Sequence, residues 1–160
     1  MGFSAILRQE NRAVQSEGWQ FNSDVGLRLS PDTEGEIKLP LDTLKVDVTD
    51  SPEPDVTFRA GKLYNRRKAT YQFDQPMTLD VITLIPFNDL PTAAQDYVRC
   101  RAGRKFLNRV IGTSDSLSYS AKDEKDARGV LEADEESQAD RSIFDSSAYS
   151  GLGYGRRTVS

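Results

Sequence analysis

Gln15-Ser16-Glu17-Gly18-Trp19-Gln20-Phe21-Asn22 marks a change of period in this chain. Before it, Phe3 to Glu17 is rich in helix formers and places Ile6, Leu7, Ala13 and Val14 near helical spacing. Gly18 stands where a left-handed C-terminal cap belongs, so the spacing predicts a helix over 4–17. After it the period is two. Trp19 and Phe21 alternate with polar residues, as do Val25, Leu27 and Leu29 until Pro31-Asp32 breaks the run, which predicts strands of a half-buried sheet.

Short runs bounded by turn residues continue the pattern: 36–39, 44–48, 56–59, 62–64, 68–73 and 78–85, with Ala60-Gly61 reading as a tight hairpin turn. Pro52 and Pro54 lie among acids in 50–55 and cannot donate to a ladder, so that stretch is expected to be a surface loop. Asn88-Asp89-Leu90-Pro91 then signals a cap and a first-turn proline. Ala94, Tyr97, Val98, Ala102, Phe106, Leu107 and Val110 follow at helical spacing until Gly112. A further helix is expected over 116–144, largely exposed because its apolar set (Leu117, Val130, Leu131, Ala139, Ile143) is sparse and Gly129 interrupts it.

Helix, antiparallel strands, then helices predict an α+β fold: a helical bundle formed by both chain ends with an antiparallel β insertion. The expected divisions are 1–18 and 88–144 for the helical part, 19–87 for the β part, and 145–160 as a flexible tail rich in Ser, Gly and Tyr. A chain of 160 residues is the size of one domain, and a single modest core is expected with 37% hydrophobic residues and a mean hydropathy of −0.58.

Composition excludes several functions. Histidine is absent, which removes the usual general base near neutral pH, the triads that rely on it and the commonest metal ligand. The lone Cys100 cannot form an internal disulfide, so a reducing compartment is the default. No apolar run approaches the roughly 20 residues of a membrane helix. The amino terminus lacks a secretory pattern, and Ile6 stands where a myristoylation motif needs Ser or Thr, so a soluble protein without membrane contact is expected. Neither Gly61 nor Gly103 lies in a phosphate-loop spacing. The 122–141 stretch lacks the regular acid ladder of an EF-hand, and no carboxylate pair is singled out for glycoside hydrolysis.

The net charge of −4 conceals three blocks. The 122–141 stretch carries eight acids (Asp123, Glu124, Asp126, Glu132, Asp134, Glu135, Glu136, Asp140) against four bases. Two blocks are basic without interruption by acids: Arg59, Lys62, Arg66, Arg67 and Lys68, and then Arg99, Arg101, Arg104, Lys105 and Arg109. Any single charge run reads first as a solvated face, but opposite-sign regions on one subunit favour pairing between copies. In 58–73 the bases interleave with Phe58, Tyr64, Tyr71 and Phe73 on expected strands. This gives an alternative reading as a nucleic-acid surface of Arg59, Lys62, Tyr64, Arg66, Arg67 and Lys68.

Taken in order, the 15–22 segment quoted above, Leu39-Pro40 with Val46, Arg59-Ala60-Gly61-Lys62-Leu63-Tyr64-Asn65-Arg66, Asp89-Leu90-Pro91, Tyr97, Arg101-Ala102 and Arg104-Lys105-Phe106 resemble the tail tubular protein A family of short-tailed bacteriophages over about residues 4–140. The resemblance implies a head-to-tail adaptor of the virion tail, made in the host bacterial cytoplasm. Copies would form a dodecameric ring between the portal protein and the tail nozzle of tail tubular protein B type, with double-stranded genome DNA passing through. It implies neither catalysis nor a cofactor or metal. It assigns Trp19 and Phe21 to packing between the helical and β parts.

Ring closure by identical subunits uses heterologous contacts. The residues expected to supply contacts to subunits or portal are Arg99, Arg101, Arg104, Lys105 and Arg109 with Asp123, Glu124, Asp126, Glu132, Glu135 and Glu136. Tyr149, Tyr154, Arg156 and Arg157 are expected to order against an adjoining portal or tail protein. The family usually begins with a further helical segment before the part aligned with Phe3 to Glu17; either the gene is shorter here or a neighbour supplies that packing.

Overall fold

The computed structural model describes the backbone of residues 2–49, 55–110 and 115–150; side chains are described throughout the first two stretches and, in the last, over 121–140. The chain is mixed α+β with antiparallel sheets. Helix α1 spans Phe3–Gln15 and buries Ile6, Glu10, Asn11, Val14 and Gln15 on one face. It ends at Ser16, and Gly18 at φ +85° turns the chain away. A Cβ at Gly18 would lie 2.7 Å from the Ile82 side chain, so both backbone conformation and space call for glycine there.

Trp19 and Phe21 do not lie on a strand. Gln20–Asn22 is a 3-10 turn, because the Asn22 side chain accepts the Trp19 N–H at 2.9 Å and draws the backbone into a local loop. Strand β1, Ser23–Leu29, follows; then β2, Thr43–Val48; β3, Val56–Arg59; β4, Lys62–Asn65; and β5, Met77–Thr83. The main sheet has the order β1-β5-β2 and is antiparallel throughout. Val25 and Gly26 form a bulge in β1 opposite Asp80.

Strands β3 and β4 form the expected hairpin, with Ala60 (φ 50°) and Gly61 (φ 74°) at its turn. The runs 36–39 and 68–73 are not strands. They join the hairpin by single bridges, Lys38 to Lys62 and Asn65 to Thr70, and each other by Glu36 to Gln72, too few to propagate a ladder. Residues 50–54 of the expected proline loop lie outside the described residues.

Asn88 belongs to a second 3-10 turn, Phe87–Asp89, and not to a helix cap; α2 begins directly after Pro91 and spans Thr92–Val110. The last helix, α3, spans Asp115–Ser150 and thus runs beyond the expected 144. Residues 151–160 of the expected tail lie outside the described residues.

Buried apolar side chains form two clusters where one core is expected from length. Val14, Trp19, Leu90, Ala94, Tyr97, Val98 and Leu131 pack among the helices. Ile37, Leu39, Val56, Leu63, Phe73, Leu79 and Val81 pack between the strands. The two are separated by a polar seam at the period change. Gln15 Nε2 donates to Asn11 Oδ1 and the Ile85 carbonyl, and Asn22 Nδ2 donates to the Gln15 and Thr83 carbonyls, each at 2.8 to 2.9 Å. Trp19 Nε1 donates to the Val14 carbonyl at 2.8 Å, so the indole is fixed at the junction, with the Phe21 ring stacked beside it at 6.4 Å between centroids.

Candidate functional site

Helix α2 packs against both α1 and α3, and charge fastens the three together. Glu10 lies in the stripe Ile6-Glu10-Val14 and is fully buried; its carboxylate takes Arg101 Nε at 2.9 Å and Lys105 Nζ. Glu17 pairs with Arg128 at 3.0 Å and Arg101 at 3.5 Å, and Arg128 turns back to Glu132 at 2.7 Å. The Tyr97 hydroxyl accepts from Arg128 at 3.0 Å and Arg101 at 3.3 Å. Hydrogen bonding to Tyr97, then to Glu132 and Glu17, holds the Arg128 guanidinium above its ordinary range. Burial draws Arg101 downward, but Tyr97 and Glu10 outweigh it and its value is raised. Both cations also lie over aromatic faces, Arg128 at 5.7 Å from Trp19 and from Tyr97.

This network redistributes the residues expected to meet other subunits. Arg101, Arg104 and Lys105 are engaged inside the chain, Arg104 with Glu124 across the α2–α3 seam. Glu135 is buried and accepts the Gln20 N–H, which ties α3 to the 3-10 turn. Arg99 is exposed, pairs with Asp96 at 3.1 Å and lies 5.2 Å from the Phe87 ring. Arg109 lies exposed near the end of α2, while Asp123, Asp126, Glu132 and Glu136 are exposed along α3. The Tyr149 side chain and all of Tyr154, Arg156 and Arg157 lie outside the described residues.

Glu10, Glu17, Arg128 and Tyr97 are the network residues that charge counting alone does not select. A signal exists for one of them: a carboxylate inside an apolar helical stripe, as at Glu10, calls for a cationic partner that reaches in to it.

The hairpin presents a different surface. Register pairs Thr57 with Tyr64 and Arg59 with Lys62 on the face opposite Phe58 and Leu63, which pack in the β cluster. The Arg59 guanidinium lies 4.2 Å from the Tyr64 ring, and Tyr64 packs on Tyr71 at 4.9 Å. Lys62 is paired with Glu36 at 2.5 Å, and Arg66 with Asp55. Arg67 and Lys68 are exposed in the loop beyond, where the Lys68 N–H donates to Asn65 Oδ1 at 2.9 Å. Phe73 is buried in the β cluster and offers no stacking face.

Among the described residues no helix is long and apolar enough to cross a membrane, and no group of three or more metal-ligating side chains is gathered. The described charged side chains are gathered in salt-bridged seams between the helices and on exposed faces.

Comparison with known proteins agrees in kind. The sequence profile of the family described as Tail tubular protein matches residues 3–141. Tail tubular protein A of Klebsiella phage KP34 is 29% identical over 128 residues, covering 79% of this chain and 68% of that relative.

Proposed function

This chain belongs to the tail tubular protein family of phage tail structural proteins, and from that premise we propose that it is a head-to-tail adaptor. Its copies form a dodecameric ring in the virion, seated between the portal protein and the tail nozzle, with double-stranded DNA passing through during ejection. The protein works as a structural element and not as an enzyme. The observation that carries the reading is the family match, which runs through both the helical and the β elements.

In this reading the helices of the two chain ends act as one bundle (1–18 and 88–144), the β part (19–87) is an insertion carried by it, and the C-terminal segment (145–160) reaches an adjoining portal or tail protein through Tyr149, Tyr154, Arg156 and Arg157. Exposed Arg99, Arg109, Asp123, Asp126, Glu132 and Glu136 supply contacts between subunits or to the portal. Charge segregation along the helices supports this, since heterologous ring contacts join unlike faces.

Light scattering of complexes released from virions tests the proposal. A closed multimer containing this chain at the head-tail junction is expected, and a strict monomer would overturn it. Deleting 146–160 is expected to impair joining of heads and tails; intact assembly after that deletion would remove the tail contact from the scheme.

A second reading, nucleic-acid binding by the hairpin, draws on the Arg59, Tyr64 and Tyr71 face. Two of its bases, Lys62 and Arg66, already have carboxylate partners, so only weak association at physiological salt is expected. Tight binding that falls steeply with salt, and is lost on replacing Arg66, Arg67 and Lys68, would favour this reading over the adaptor.

A further inference from the structure

Two pairs of like charges stand on the outer helix faces with no ion-pair partner among the described residues. Arg8 and Arg12 are exposed on α1, one turn apart and opposite the buried Ile6, Glu10 and Val14. Glu136 and Asp140 are exposed on α3, also one turn apart. No acid lies three or four residues from either arginine, and no base three or four residues from either carboxylate. Among the described residues none of the four takes part in an ion pair, although Arg101, Arg104, Lys105 and Arg128 all do. Like charges at this spacing each cost their helix a few tenths of a kcal/mol.

The second observation concerns where α3 is supported. Glu135 is the last of its described residues bonded to another element, through the Gln20 N–H. The helix nevertheless continues to Ser150, roughly 22 Å further at 1.5 Å per residue. Glu136 and Asp140 follow directly after this tie on the same helix.

We propose that Arg8 and Arg12 of one copy receive Glu136 and Asp140 of a second copy of this chain, so that α3 lies along the neighbour's α1. The two pairs share the same i,i+4 rise of about 6 Å, which lets both ion pairs form in one helix crossing. Ala5 and Ala13 beside the arginines, and Ala133 and Ser137 beside the carboxylates, are small enough to let the backbones approach. The contact joins two different faces and is therefore heterologous, as a closing ring requires. It also differs from the pairing expected from the charge blocks, because most of the basic side of that pairing, on α2, is used internally.

The inference rests on the ring reading, and the test separates the two. Sedimentation of the full chain is compared for wild type, R8E/R12E, E136R/D140R and the fourfold variant carrying both reversals. Each double reversal is expected to weaken self-association by about tenfold or more, and the fourfold variant to return to within about threefold of wild type. Circular dichroism identifies any variant that fails to fold, and the fourfold rescue keeps the result interpretable if one does. A wild-type chain that remains monomeric overturns the ring reading and this contact with it. Wild-type assembly with unaffected reversals, with only one reversal effective, or with no rescue in the fourfold variant overturns the contact and leaves the ring standing.

Discussion

Gln15 and Ile85 exchange two hydrogen bonds across the boundary between helix and sheet: the Ile85 N–H donates to Gln15 Oε1 at 2.7 Å, and Gln15 Nε2 donates to the Ile85 carbonyl at 2.8 Å. A side-chain amide thereby does for Ile85, two residues past the end of β5, what a neighbouring strand would do. Replacing Gln15 by Leu keeps the volume and leaves both backbone groups unmet. Each such group costs about 1–3 kcal/mol when buried, so Gln15→Leu is expected to lose on the order of 3 kcal/mol in urea unfolding. A change within about 0.5 kcal/mol, the range of an ordinary surface substitution, would refute the role assigned to this seam.

Glu10 is buried while its partners Arg101 and Lys105 remain partly exposed. Breaking a buried pair costs about 3–5 kcal/mol, and solvent access to the cations reduces that. Glu10→Ala is expected to lower stability by about 2–3 kcal/mol. In a double-mutant cycle with Lys105→Met the two losses are expected not to add; strict additivity would mean that the two residues do not interact.

Ala60 occupies a left-handed conformation, φ 50°, at the tip of the hairpin. An alanine there costs about 1–2 kcal/mol that asparagine largely avoids through local hydrogen bonding. Ala60→Asn is expected to raise the melting temperature through a gain of roughly 0.5–1 kcal/mol, and Gly61→Ala, at φ 74°, to lower it. Opposite signs from calorimetry would contradict the turn geometry.

Acid is expected to loosen the main sheet through Asp80. The Thr49 hydroxyl, and after it the Gly26 N–H, hold its carboxyl below the ordinary value, while burial acts weakly the other way. The unfolded carboxyl titrates near about 3.9. Between that value and the lower folded one, the unfolded chain binds more protons, so stability rises with pH. This contribution is complete above the ordinary carboxylate range and is lost as pH falls through the folded value. Asp32 behaves alike, lowered first by the Glu36 N–H and then by Lys38. Asp80→Asn is expected to flatten the acid limb of a stability-against-pH curve; an unchanged limb would exclude Asp80 as its source.

Elements with strong local periodicity were legible in the residues alone. The α1 stripe, the α2 stripe and the Ala60-Gly61 turn each rest on chemistry within a few positions. Trp19 and Phe21 mislead because alternation over three residues cannot distinguish a strand from a turn closed by Asn22. The 36–39 and 68–73 runs mislead because their pairing depends on an edge that accepts only single bridges. The charge blocks locate the helices that carry ions but not which ion meets which. Glu10 finds Arg101 across 91 positions, and no local rule encodes such a pairing.

The two-residue bulge at Val25 and Gly26 bends the outer border of β1 and commits the Gly26 amide to Asp80 of the same molecule. A flat border would offer an incoming strand a continuous template, whereas a kinked one interrupts it. A border kinked and internally bonded in this way is protected against edge-to-edge pairing with a strand of another molecule, the first step of fibril growth.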